Sequence, residues 1–210
     1  FEACKAANSR GQQVYVQIPC QPLSFDFTMA NAYPFYSHDA FGAIKACPPD
    51  ELKNIFSDND FRDRFRSSLQ NTRPGMIFQG NWNRVTVAIP ALEKNAHLAN
   101  QTIESIARNQ GIDPLDLIMD LSLEEDLKTT FIGQFLNVGD DGVAELLQHE
   151  SGVVSLSDAG AHLVFMCDAG FGLHFLGKWV RERGEFSLAQ GIPRLTSHPA
   201  ELYGLIERGR

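Results

Sequence analysis

The residues best suited to chemistry in this sequence lie in one short segment, Gly152–His162. A β-branched run ends at Ser157 and Asp158, and three small residues then lead to His162. In a parallel α/β protein, side chains at the C-terminal ends of strands face the active site. Asp is also a common turn residue. The local pattern therefore leaves two interpretations of Asp158 open, a catalytic carboxylate or a cap for the turn.

The elements that must position this segment alternate between strands and helices. Three main strands are predicted at Val14–Cys20, Met76–Ile89 and Val153–Ser157. Helical stretches separate them, and there is no strong hairpin signal, which predicts an α/β protein with a mostly parallel sheet. A complete (β/α)8 barrel needs about 250 residues. A chain of 210 residues therefore supplies only part of one.

Two serines carry the pattern of a capping box, in which Ser is followed three residues later by Glu or Gln. Ser122 is followed by Glu125, and Ser187 by Gln190. Each pair predicts the start of a helix.

Composition restricts the class of protein. The net charge is −8 with acids and bases interspersed, which argues against a nucleic-acid partner because that needs a basic face. No apolar run reaches the roughly 18 residues of a membrane span, and no signal peptide is visible. The four cysteines are widely separated and form no Cys-x-x-Cys pair. This pattern argues against a structural zinc site and favours free thiols in a reducing cytoplasm.

Several motifs resemble one enzyme family. The run Ser157–Leu163 resembles the Ser-Asp-Gly-Gly-Ala-His-Leu segment of the N-acyl-D-amino-acid deacylases (D-aminoacylases), which form amidohydrolase family 3 within the amidohydrolase superfamily. Further stretches that resemble this family are Ile103–Leu127, Leu176–Gly184, Phe186–Gln190, Leu195–Ala200 and Leu202–Gly209. The resemblance covers most of the chain and is strongest from Ile103 to Arg210.

The resemblance implies a partial TIM-like (β/α)8 barrel of the metal-dependent hydrolase type. The strands predicted at Val14–Cys20, Met76–Ile89 and Val153–Ser157 would correspond to its sixth, seventh and eighth strands. Residues 1–210 would then be the C-terminal part of the barrel domain. The N-terminal half-barrel and the end of a β-sandwich domain would be absent, which we expect also because the chain begins at Phe1 rather than at Met.

The resemblance also implies an activity, zinc-dependent cleavage of linear, non-peptide amide C–N bonds, with N-acyl-D-amino acids as substrates. Asp158 would be a ligand of one or two zinc ions, and the general base and acid that takes a proton from the metal-bound water and returns it to the leaving amine. The superfamily's His-x-His is missing here, and its other ligands cannot be located. Because zinc needs three or four protein ligands, we expect the chain alone to be inactive.

Three further residues are candidates for substrate binding. Cys20 ends its predicted strand as Asp158 does, although a packed core thiol is the alternative. His162 lies on the same loop as Asp158, where it would either line the site or make a hydrogen bond that orders the loop. His38 lies in the aromatic-rich loop after the first strand. The expected ligand is a small N-acyl amino acid.

Two other functions stay open. One is a cyclic-amide hydrolase of the dihydroorotase or hydantoinase type, and the other is a non-catalytic binding module. Half of a barrel exposes sheet edges and an apolar face. We therefore expect the missing N-terminal half-barrel, or a second copy of the chain, as a partner.

Overall fold

A computed structural model describes residues 1–155 and 169–209. The chain divides into two compact units. Unit 1 comprises Phe1–Leu23 and Leu136–Arg210, and unit 2 comprises the continuous stretch Ser24–Phe135. No helix among the described residues is long and apolar enough to pass through a membrane.

Unit 1 contains a sheet of two short parallel strands, β1 (Val16–Ile18) and β5 (Gly152–Val154). Val16 lies opposite Gly152, and Ile18 lies opposite Val154. The predicted parallel arrangement is confirmed for this pair. Its helices are α1 (Glu2–Asn8), α7 (Asp140–Gln148), α8 (Phe171–His174), a π-helix (Phe175–Glu182), α9 (Leu188–Leu195) and α10 (Ser197–Leu202).

Close packing in unit 1 explains the residue that opens β5. A Cβ atom on Gly152 would lie 2.6 Å from Ile18 Cδ1 and 2.8 Å from the Leu146 carbonyl oxygen. Only glycine leaves room for β1 and the end of α7 at these distances. Ile18 and Val154 then pack with Trp179 in the core between the strands and the helices.

Unit 2 contains the second sheet, in the order β2 (Leu23–Phe27), β4 (Thr130–Leu136), β3 (Val85–Ile89). Its helices are α2 (Asp39–Gly42), α3 (Pro49–Ser57), α4 (Asn59–Leu69), α5 (Ile103–Gln110) and α6 (Pro114–Glu124). Three 3-10 turns accompany them at Tyr33–Phe35, Trp82–Arg84 and Glu93–Leu98.

The prediction that Met76–Ile89 belongs to the parallel sheet is wrong. Within this range the strand is Val85–Ile89, which pairs antiparallel with β4 in the sheet of unit 2. The burial pattern gives the physical reason. Val85 and Val87 are buried while Thr86 is half-buried, and a strand buried on one face suits an antiparallel sheet. The alternation that predicted a strand was correct, but it does not specify the partner strand.

Phenylalanine rings dominate the core of unit 2. Phe35 is fully buried, and its ring centroid lies 4.9 Å from that of Phe78, 5.2 Å from Phe41 and 5.5 Å from both Phe27 and Phe65. The ring planes are tilted or edge-on, as aromatic quadrupoles favour. This cluster belongs to the larger of the two buried apolar cores in the described chain.

Candidate functional site

The strongest sequence candidates, Asp158 and His162, lie outside the described residues. The structure does describe β5, the strand that leads to them. Ser155 directly follows β5, and its N–H donates to the Ile18 carbonyl at 3.2 Å. Asp158 is three residues further along the sequence.

A cavity of about 650 Å³ opens beside the end of β5 in unit 1. Gln17 and Val153 are opposite each other in the strand register and both line it, as do Phe171, Leu195 and Leu202. None of the described residues that line it carries a charge. The cavity can therefore hold an apolar group at the end of β5.

Sequence reasoning missed Gln17 and Ser155, which also line this cavity. Ser155 Oγ is buried and has no hydrogen-bond partner among residues 1–155 and 169–209. For Gln17 the missed signal was the alternation Tyr15, Val16, Gln17, Ile18, because side chains on a strand point alternately to opposite faces. Tyr15 and Gln17 line the cavity, while Ile18 belongs to the core.

The Cys20 side chain is a thiol packed in the core of unit 1. It lies two residues after Ile18 and belongs to the same core, where it is fully buried. Its Sγ–H donates to the Phe171 carbonyl at 3.1 Å, and its own carbonyl accepts from Trp179 Nε1 at 2.5 Å. Burial raises the pKa of the Cys20 thiol to about 11, so it stays protonated at neutral pH. Its role in substrate binding stays a prediction.

His38 lies in unit 2, so the structure does not place it in the same unit as Cys20. It is fully buried, with Nδ1 2.9 Å from Ser68 Oγ and Nε2 2.9 Å from the Phe78 carbonyl oxygen. Both ring nitrogens therefore have partners inside the unit. Its role in binding an N-acyl amino acid also stays a prediction.

The donor set does not fit zinc in the part of the chain that the structure covers. No three His, Cys, Asp or Glu side chains come together there in a way that could hold a metal ion. Asp158 and His162 lie outside that part. One carboxylate cannot hold zinc without two or three further ligands.

Comparison with known proteins gives structural likenesses. No protein-family model and no curated protein sequence matches this chain. It is similar to the N-acyl-D-glutamate deacylase of Bordetella bronchiseptica, which was solved with zinc and a phosphonate inhibitor. The identity is 17% and the TM-score 0.46, over 99% of this chain and 32% of that one. Our chain thus spans about a third of the length of that enzyme.

Solved D-aminoacylase structures are also similar to it. One is 22% identical with a TM-score of 0.37, covering 67% of this chain and 27% of that one, and is described as defining a novel subset of amidohydrolases. Another, with a binuclear metal centre, is 21% identical with a TM-score of 0.37. The solved structures that this chain resembles are thus N-acyl-D-amino-acid deacylases, the group that the motifs around Asp158 also resemble.

Proposed function

We propose that this chain contributes part of the active site of an amidohydrolase that cleaves the linear amide bond of N-acyl-D-amino acids. One observation carries the proposal. The segment Ser157–Leu163, which resembles that of the deacylases, begins three residues after Val154, the last residue of β5, and β5 pairs in parallel with β1. The C-terminal ends of parallel strands are where α/β enzymes place their catalytic groups.

Asp158 is the residue to which we assign proton transfer. As a carboxylate it would take the proton of the attacking water and then return it to the nitrogen of the leaving amine, so that one side chain serves as base and then as acid. The two residues after it in the sequence, Ala159 and Gly160, are small. His162 would bind the substrate on the same loop.

Zinc, as one or two ions, belongs to this proposal only through the family resemblance. The described residues do not supply a set of ligands for it, so further ligands would have to come from residues outside them.

A complementary half-barrel, or a second copy of this chain, is proposed as the partner of the β1–β5 pair. Parallel sheets occur almost only with both faces covered. A cytoplasmic location is also part of the proposal.

The test measures zinc content and hydrolysis of N-acyl-D-amino acids by the complete gene product that carries this chain, and by residues 1–210 alone. We expect the Asp158→Asn variant of the complete product to lose about 10²–10⁴-fold in kcat, the usual contribution of a general base. Asp141→Asn is the matched control, because that carboxylate is 97% exposed in unit 1 and pairs with Arg183. Its kcat should be unchanged.

Other outcomes would redirect the proposal. Turnover of ring amides with no turnover of linear ones would favour the dihydroorotase or hydantoinase type. An Asp158→Asn variant with full activity would remove Asp158 from the chemistry. A complete product with neither zinc nor turnover of either substrate class would leave a non-catalytic binding module.

A further inference from the structure

A buried histidine in unit 2 has its protonation pattern fixed by a backbone group. His38 Nε2 lies 2.9 Å from the Phe78 carbonyl oxygen. Because a carbonyl oxygen can only accept, Nε2 carries the hydrogen, and in the neutral ring Nδ1 is then the acceptor. Phe65 and Phe78 pack edge-on against the ring, at centroid distances of 5.2 and 6.5 Å. The imidazole is thus held in one orientation with one basic nitrogen.

That basic nitrogen faces a serine hydroxyl. Ser68 Oγ lies 2.9 Å from His38 Nδ1 and 2.8 Å from the Phe65 carbonyl oxygen. A hydroxyl has only one hydrogen, so it cannot donate to both. With neutral His38 the hydrogen is directed to Nδ1. With protonated His38 the ring donates to Oγ and the hydroxyl can turn to Phe65. This arrangement is that of a nucleophile beside its general base.

Ser68 also reaches a cavity. It lines a space of about 340 Å³ together with Asn71, Arg73 and Met76 at the C-terminal end of α4, and with Asp39 at the start of α2. Arg73 makes no ion pair with any residue of the described ranges. Its guanidinium is therefore an N–H donor available at the cavity. Asn71 Nδ2 donates one hydrogen to the Ser67 carbonyl at 3.2 Å and keeps a second for a ligand. The volume is at the lower end of the range for small-molecule sites.

We propose that Ser68 and His38 form a nucleophilic dyad that cleaves small carboxylic esters in this cavity. The pair lies wholly in unit 2 and is independent of the activity proposed for the segment around Asp158. Asn71 and Arg73 would stabilise the negative charge that develops on the carbonyl oxygen. Met76 would contact the short acyl chain.

The reaction balances with water as the second reactant. Ser68 Oγ forms a bond to the ester carbonyl carbon and passes its proton to His38 Nδ1. The bond from that carbon to the alkoxy oxygen breaks, and the alkoxide leaves with the proton from Nδ1. Water, activated by the same nitrogen, then attacks the acyl-serine and releases the carboxylic acid and the free hydroxyl.

The test treats the 210-residue chain with a fluorophosphonate probe, locates the modified residue by mass spectrometry and follows turnover of p-nitrophenyl acetate. We expect modification at Ser68, at a faster rate than at Ser67. Ser68→Ala should abolish both signals. Ser67→Ala is the matched control, because Ser67 is the exposed neighbour on the same helix, and its rates should equal those of the unaltered chain.

The role of His38 is tested separately. His38→Gln should lower the rate of modification by about 100-fold or more. If that variant does not fold, the ratio of the modification rates of Ser68 and Ser67 in the unaltered chain decides. A folded His38→Gln variant that is modified at Ser68 as fast as the unaltered chain would overturn the dyad. So would a folded chain in which Ser68 reacts no faster than Ser67.

Discussion

Unit 2 and unit 1 differ in how much apolar material they bury and in where their candidate chemistry lies. The core of unit 2 contains twenty-three buried apolar residues, eight of them Phe, whereas the described part of unit 1 gathers nine in its core. The segment that carries Asp158 belongs to unit 1. Functional loops are commonly drawn from the less stable part of a protein. The larger apolar core and the deacylase-like motif Ser157–Leu163 therefore belong to different units of the chain.

The largest expected effect comes from separating the two units. Residues 24–135 contain about 110 residues with their own apolar core, a usual size for an independent domain. We expect this segment alone to unfold cooperatively in urea, with coincident transitions by circular dichroism and by fluorescence. A polypeptide that joins residues 1–23 directly to residues 136–210 should show no sharp transition, because a two-stranded sheet with a small core is marginal.

The opposite result would contradict the expectation that unit 2 is the more stable of the two units. If residues 24–135 prove unfolded while the joined segments of unit 1 unfold cooperatively, the number of buried apolar residues does not locate the stability of this chain.

The next largest effect is expected within the Phe core. Phe35→Ala removes a fully buried ring that contacts four others and should cost about 3–5 kcal/mol of unfolding free energy. Phe186→Ala should cost less, because Phe186 belongs to the smaller core of unit 1. Urea midpoints at constant m-value give both numbers. Equal losses at the two positions would argue against a more stable unit 2.

A buried carboxylate gives unit 2 a pH-dependent contribution. Glu125 is 2% exposed and accepts from Ala91 N–H at 2.6 Å, Leu92 N–H at 3.2 Å, Asn95 Nδ2 at 2.9 Å and Thr129 Oγ1 at 2.7 Å. Burial acts to raise its pKa, but these hydrogen bonds outweigh burial and hold the pKa below its ordinary value of 4.5. A carboxyl with a lowered pKa stabilises the fold above its unfolded pKa and loses that contribution as pH falls through the folded one.

Glu125→Gln tests this carboxylate. The variant places an NH₂ group among N–H and O–H donors, so we expect a loss of about 2–3 kcal/mol at pH 7. The difference between the two proteins should shrink below about pH 4.5, because the unfolded chain then takes up a proton on Glu125 while the folded carboxylate, with its lowered pKa, still resists it. Urea unfolding at pH 7 and at pH 3.5 measures it. A difference that stays constant across this range would show that charge at Glu125 does not matter.

Local signals in the sequence predicted much of this fold. The runs Val14–Cys20 and Val153–Ser157 predicted strands in a parallel sheet, and they overlap β1 and β5, which pair in parallel. Partner choice could not be predicted. Thr130–Leu136 and Val85–Ile89 both have the composition of strands, but their antiparallel pairing depends on packing between distant segments. The cavity beside β5 likewise depends on helices α9 and α10, which lie far along the chain from β1.

The two predicted capping boxes show where tertiary packing outweighs a local sequence signal for a helix start. Ser187 is a true cap, since its Oγ accepts from Gln190 N–H and Gln190 Oε1 accepts from Ser187 N–H. The prediction for Ser122 is wrong, because that residue lies inside α6. The apolar face of α6 continues through this position and packs in the Phe core. The helix therefore ends only at Glu124, just before Asp126 and Leu127, which both have positive φ.

The smallest effects are expected at these two serines, where Ala substitutions should change the unfolding free energy in opposite directions. Ser187→Ala removes an exposed cap with a 3.3 Å bond to Gln190 N–H and should cost about 0.5–1 kcal/mol. Ser122 is fully buried, and its Oγ has no hydrogen-bond partner in the described chain. Ser122→Ala should therefore gain about 1 kcal/mol, since it removes an unsatisfied buried hydroxyl and leaves a good helix former. Urea midpoints of both variants measure the pair. If Ser122→Ala were destabilising, its hydroxyl would have a partner in solution, and the apolar face of α6 alone would not explain why the helix runs past it.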